Sequence, residues 1–177
     1  PNQTHYEYAL TALKAKKHVL CEKVMVMEGK EAQALFATAA ENNVILLEGV
    51  TLFYMPMFEK VRNELQANKI GHISGMNVLF GSCKEFDPTN RFFSKELGGG
   101  ALFDIGTYAL SAAVYFLGTD LKVLASVVEL ASTGVDEKSM TLLKNDKGQQ
   151  ASVMISFRGR MPKQIVITGD KGFVVID

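Results

Sequence analysis

Two short apolar runs, His18 to Cys21 and Val44 to Leu47, are separated by an alanine-rich segment with helical character over residues 28–42. A strand that needs a helix-length connection before the next strand pairs with it in parallel, because a tight hairpin can only join antiparallel neighbours. Residues 3–16 read as a preceding helix, with Tyr6, Ala9, Leu10 and Leu13 at i, i+3, i+4, i+7 spacing. Asn2 is the expected N-cap, and the Asn42-Asn43 pair is the expected stop of the second helix, since Asn tolerates the left-handed conformation. Both short runs are expected to be buried.

The rest of the chain follows a different pattern. An amphipathic helix is expected over residues 56–68, with Pro56 in its first turn, then a strand from Ile70 to Phe80. Residues 81–97 are polar and irregular. Gly98-Gly99-Gly100 leads into a helix running to about Phe116, with Gly118 at its C-cap. Strand-like segments follow at 122–131, 138–144, 150–157, 163–168 and 172–177. Asn145 to Gly148 and Gly169 to Gly172 are turn tetrads between them, so those strands should pair antiparallel. The fold class is therefore α/β plus α+β, with the change of pattern near residues 49–54.

Lys plus Arg and Asp plus Glu are 19 each, so the net charge is zero. That lacks the basic footprint of a nucleic-acid-binding protein. No apolar run approaches the roughly 18 residues of a membrane span. Cys21 and Cys83 form no CxxC pair, which suits a reducing, cytoplasmic compartment. The three histidines lie too far apart for metal-ligand spacing.

Several side chains carry candidate chemistry. His5 opens a helix where open α/β sheets place ligands, though a histidine in a first turn is more often a solvated or capping residue. Glu22 and Lys23 stand just past the carboxyl end of the first strand, where open α/β sheets hold ligands. They also read as a plain solvated ion pair. Asp104 and Tyr108 are four apart, hence on one helical face, and an acid and a phenol there can handle a substrate hydroxyl. Cys21 reads as core packing rather than as a nucleophile.

Together these residues resemble one family, the nicotinamide-dependent oxidoreductases of the glucose–fructose oxidoreductase, inositol dehydrogenase and rhizopine-catabolism type. Its pattern runs P-N-x-x-H, then a helix, then a strand ending E-K-P, and later G-G-G-x-x-x-D-x-G-x-[HY]. This sequence reads Pro1-Asn2-Gln3-Thr4-His5, then Cys21-Glu22-Lys23-Val24, then Gly98 to Tyr108. The Gly169 to Gly172 turn is similar to the family's G-[TS]-x-G.

The resemblance implies the C-terminal part of a Rossmann domain over residues 1–50. A mostly antiparallel, open-faced β-sheet domain would follow over 51–177. It implies NAD or NADP as cofactor, bound by Asn2, His5, Glu22 and Lys23. Lys23, Asp104 and Tyr108 would be catalytic and, with Arg91, would contact a small-molecule sugar or polyol substrate. A tyrosine working as a base near neutral pH needs a nearby cation, and Lys23 is the candidate. Whether Lys23 or Tyr108 takes the proton stays open. The resemblance also implies a homodimer or higher oligomer through the open sheet face.

The departures shape the rivals. Val24 replaces the family's proline, so the Lys23–Val24 peptide is expected trans, a non-proline cis bond costing about 2.5–4 kcal/mol. Phe53 stands where relatives carry Arg. No GxGxxG occurs in the sequence, and both ends look cut, which points to a fragment of a longer enzyme. The alternatives are a relative without net redox turnover (a sugar-sensing regulator or a nicotinamide-using glycosidase) and a self-standing binding module.

Overall fold

The structure is a computed structural model and describes residues 1–177. It contains four α-helices and eight strands. Its first part has α1 (His5–Lys14), β1 (Val19–Cys21), α2 (Gly29–Glu41) and β2 (Leu46–Glu48). β1 and β2 pair in parallel, Val19 opposite Leu46 and Cys21 opposite Glu48. The helix between them supplies the crossover that parallel pairing requires. α2 starts with a capping box, Glu28 and Glu31 each accepting from the other's end of the turn. It stops where Asn43 adopts φ 53°, the left-handed stop expected of that pair.

The two strands are less buried than expected. Leu13, Leu35, Ala39, Cys21 and Leu46 form a small core on one side. Leu20, Ile45 and Leu47 face outward, Leu20 being 74% exposed. Both helices cover the same face of this two-stranded sheet, so alternate strand residues meet nothing on the other. The N-cap expectation also fails. Asn2 lies in a 3₁₀ turn (Asn2–Thr4) ahead of α1, and its side chain is used elsewhere.

After a 3₁₀ turn at Thr51–Tyr54 come α3 (Pro56–Gln66), β3 (Ile73–Gly81) and, beyond the polar segment, α4 (Thr107–Leu117). Five more strands follow: β4 (Lys122–Leu130), β5 (Asp136–Lys144), β6 (Gln150–Ser156), β7 (Lys163–Gly169) and β8 (Phe173–Ile176). They join β3 in one sheet of order β4-β5-β6-β3-β7-β8. The turn tetrads close antiparallel β5–β6 and β7–β8 hairpins, as expected. One pairing departs from the antiparallel scheme, since β3 and β6 run parallel. They are separated by α4 and two strands, enough chain for the crossover.

One face of this sheet is covered. Val78, Val153, Ile155 and Ile167 pack against Ala109, Ala112 and Ala113 of α4, with Phe58 and Val61 of α3 in the same core. The three alanines are almost inaccessible, and their small size brings the helix close to the strands. The opposite face is open. Cross-strand partners Val127, Met140, Met154 and Leu79 form a row on it, and Val127 is 75% exposed.

Candidate active site

The site lies where the carboxyl end of β1 meets the turn before α4. Two residues past β1, Lys23 extends towards that turn. Its Nζ donates to Asp104 Oδ1 at 3.0 Å and to the Asp104 backbone oxygen at 2.6 Å. Both side chains are only 16% exposed. The Lys23–Val24 peptide is cis, where trans was expected.

Neighbouring groups hold the segment after Lys23. His5, at the start of α1, donates from Nδ1 to the Val24 carbonyl at 2.8 Å, the carbonyl being able only to accept. Glu48, at the end of β2, accepts the Met25 N–H at 2.7 Å. Residues 23–25 are thus gripped from the helix start and from the adjacent strand end. Glu22 is exposed, and its carboxylate stays outside the Lys23–Asp104 contact. Cys21 is buried below. Its thiol is pushed upward by burial first, then by Glu48 and Glu22, which keeps it protonated and inert.

The glycine run positions Asp104. A Cβ on Gly99 would lie 2.8 Å from the carbonyl oxygens of Arg91, Phe92 and Ser94, so three backbone groups converge where only hydrogen fits. Gly100 has φ 122°, a conformation open to glycine. The Leu102 N–H donates to Asp136 Oδ2 at 2.7 Å, anchoring the start of the next turn. That turn, Leu102–Gly106, is π-helical and not the regular helix expected. The wider turn still leaves Asp104 and Tyr108 on one side, as expected, where Lys23 Nζ meets both.

Tyr108 meets Lys23 through its ring, with Nζ 4.9 Å from the ring centroid. The ring stacks on Phe80 at 5.9 Å and 17°. Beside it, Leu52, Met55, Phe58, Phe80 and Ile165 line an apolar cavity of about 320 Å³. Arg91 Nη1 is 3.8 Å from Asp104 Oδ1, so it joins the cluster as well as supporting the loop. Asn2 donates from Nδ2 to the Gly98 carbonyl at 2.9 Å and ties the first part of the chain to the glycine run.

The structure thus brings Lys23, Asp104, Tyr108 and Arg91 together, with Asn2 and His5 in supporting contacts. It leaves Glu22 at the rim. It adds Lys84, whose Nζ is 3.9 Å from Asp104 Oδ2, and Glu48, neither foreseen as a site residue. Glu48 ends a strand beside β1, a positional signal that was available. Lys84 lies in the irregular segment, where periodicity carries no information.

Residues 58–175 match the model of the GFO/IDH/MocA C-terminal domain. Residues 1–50 match that of an oxidoreductase family with an NAD-binding Rossmann fold. The chain is 34% identical over 173 residues to trans-1,2-dihydrobenzene-1,2-diol dehydrogenase of Xenopus tropicalis, covering 97% of this chain and 52% of the relative. It is 31% identical over 185 residues to scyllo-inositol 2-dehydrogenase (NADP(+)) of Bacillus subtilis, covering 100% and 55%. Among solved structures, KijD10, a 3-ketoreductase from Actinomadura kijaniata in complex with NADP and TDP-benzene, superimposes with a TM-score of 0.89 at 29% identity. That match covers 96% of this chain and 52% of the other. The chain spans about half the length of the curated relatives it matches.

Proposed function

The chain belongs to the GFO/IDH/MocA oxidoreductase family. From that premise we propose that it carries the catalytic half of an NAD(P)-dependent oxidoreductase acting on a hydroxyl-bearing carbon of a sugar, polyol or related small molecule. The carrying observation is the Lys23–Asp104 pair closed over the Tyr108 ring. In this reading residues 1–50 are the remainder of the dinucleotide-binding domain and 51–177 form the substrate and oligomerisation domain.

The residues present suit the nicotinamide end of a dinucleotide. A cavity of about 250 Å³ opens beside Asn2, Gln3, Tyr6, Val26 and Met27, next to the carboxyl end of β1. Asn2, which lines that cavity, would hold the cofactor with His5, Glu22 and Lys23 nearby at the start of α1 and the carboxyl end of β1. NAD or NADP, when bound, supplies the hydride acceptor or donor.

The chain's own residues would handle the proton. Lys23 already donates two of its three N–H groups to Asp104. The third is left for the substrate oxygen, so Lys23 would work as a fixed ammonium and the phenolate form of Tyr108 would take the hydroxyl proton on oxidation, becoming the phenol. Tyr108 returns it on reduction. Arg91, 3.8 Å from Asp104 Oδ1, would contact the substrate. The free cysteines support a cytoplasmic location, and no helix is long and apolar enough to cross a membrane.

The test is a screen of the full-length protein with NAD(H) and NADP(H) against polyols, sugars and ketones. Turnover of at least one substrate is expected, with Lys23→Ala reducing it by about 10²- to 10⁴-fold. No turnover, together with no effect of Lys23→Ala, would sink the proposal. Cofactor binding without net NAD(P)H formation would favour a relative that has kept the fold and lost redox turnover.

A further inference from the structure

Lys84 is half-buried beside the proposed catalytic pair without a role in the reaction as described above. Three residues past the end of β3, its backbone N–H donates to the Phe157 carbonyl at 2.8 Å, and Ser82 N–H donates to Ser156 at 2.9 Å. The β3–β6 pairing thus continues beyond the strands and fixes the Lys84 backbone. The side chain turns inward and is 18% exposed. Its Nζ lies 3.7 Å from the centroid of Phe92 and 5.1 Å from that of Phe157. It donates to Ser82 Oγ at 3.2 Å and pairs with Asp104 Oδ2 at 3.9 Å.

Two lysines therefore face opposite oxygens of one carboxylate, Lys23 hydrogen-bonded to Oδ1 at 3.0 Å and Lys84 in a looser ion pair with Oδ2 at 3.9 Å, while Arg91 stands 3.8 Å from Oδ1. An exposed lysine would keep its charge in water. This one exchanges most of its water for two aromatic faces, a hydroxyl and a nearby carboxylate, contacts that hold the ammonium in place. Such an arrangement suits a fixed support better than a hand reaching for substrate. A carboxylate held on one oxygen can swing about its χ2, which is a soft torsion. Held on both, it presents Oδ1 to Lys23 at one angle.

We propose that Lys84 is a positioning residue: by holding Asp104 Oδ2 it fixes the carboxylate that aims the Lys23 ammonium at the substrate oxygen. This rests on the oxidoreductase reading above. Lys84 acts through Asp104 and Lys23 and does not touch the reacting atoms.

The test compares full-length wild type with Lys84→Met, Lys84→Arg and the remote control Lys69→Met, whose lysine pairs with Glu64 at the surface. For any substrate the wild type turns over, Lys84→Met should lower kcat by about tenfold or more, because a small misplacement of catalytic groups is costly. KM and the melting temperature should stay near wild type, and Lys84→Arg should recover most of the loss. Unchanged kcat, or a loss that follows KM or stability alone, would overturn the inference. A second measurement does not depend on turnover: a crystal structure of Lys84→Met, which should show the Asp104 carboxylate turned about χ2 and the Lys23 Nζ to Asp104 Oδ1 distance lengthened from 3.0 Å. The same pair should be unmoved in Lys69→Met. An Asp104 carboxylate and Lys23 ammonium placed in Lys84→Met as in the wild type would overturn the inference even where turnover fails, and absence of wild-type turnover alone would strike only the oxidoreductase reading.

Discussion

Lys23 Nζ stands 3.0 Å from Asp104 Oδ1 and 2.6 Å from the Asp104 carbonyl oxygen, joining residues 81 apart in the chain. The pair connects the strand-end loop of the first sheet to the π turn that precedes α4. A carboxylate removed from one side leaves a partly buried ammonium without its main partner, a costly state.

Asp104→Asn should therefore weaken the aim of Lys23 while leaving the fold intact. An amide can still accept from Lys23 but brings no charge. Activity of the full-length enzyme should fall by about 10²-fold or more, with a smaller change in melting temperature. Steady-state kinetics beside a thermal melt check this, and activity within twofold of wild type would exclude a central role for the carboxylate.

Gly99 should tolerate no side chain. Its Cβ would meet three carbonyl oxygens at 2.8 Å, all of them backbone and none free to rotate away. Gly99→Ala should cost about 1–3 kcal/mol or more by overpacking. Gly29→Ala is the control, because a Cβ there meets nothing within 4 Å. It should stay within about 0.5 kcal/mol of wild type. Urea unfolding of both variants decides the matter.

Asp136 gives a pH dependence of defined sign. Burial pushes its carboxyl above the ordinary aspartate value of 3.8, against the pull of the backbone N–H groups of Leu102, Asp136 and Ala101. In the window from 3.8 upward the folded state binds more protons at this site than the unfolded state. Its contribution to stability is thus fully present below the ordinary value and is lost as pH rises through the raised one. Compared with Asp136→Asn, the wild type should lose relative stability on going from pH 4 to pH 7, as read by thermal melts across that range. A difference that grows with pH would contradict this.

The open sheet face should carry the homo-oligomer. Val127, Met140, Met154 and Leu79 present an apolar row there, flanked by the exposed Phe173 and Val175. Apolar surface of this extent is better covered than wet. Full-length protein should sediment as a dimer or larger, and Val127→Lys with Met140→Lys should release monomers with unchanged circular dichroism. A wild type that sediments as a monomer would refute the interface.

Periodicity and punctuation determined the order of elements in this chain without help from tertiary contacts. The apolar stripe of α1, the left-handed Asn43, the tetrads closing β5–β6 and β7–β8 and the proline opening α3 all act within a few residues, so their signals are local. The motif residues Lys23, Asp104 and Tyr108 were legible too, as types at set spacings. Their contacts were not. The approach of Lys23 to Asp104, the amide of Asn2 on Gly98, the parallel β3–β6 pairing and the place of Lys84 all join distant segments. Their geometry depends on how two sheets and an irregular loop settle against each other. The outward faces of Leu20 and Leu47 carry the same lesson: hydrophobicity specifies what gains from burial, but only packing decides what is present to cover it.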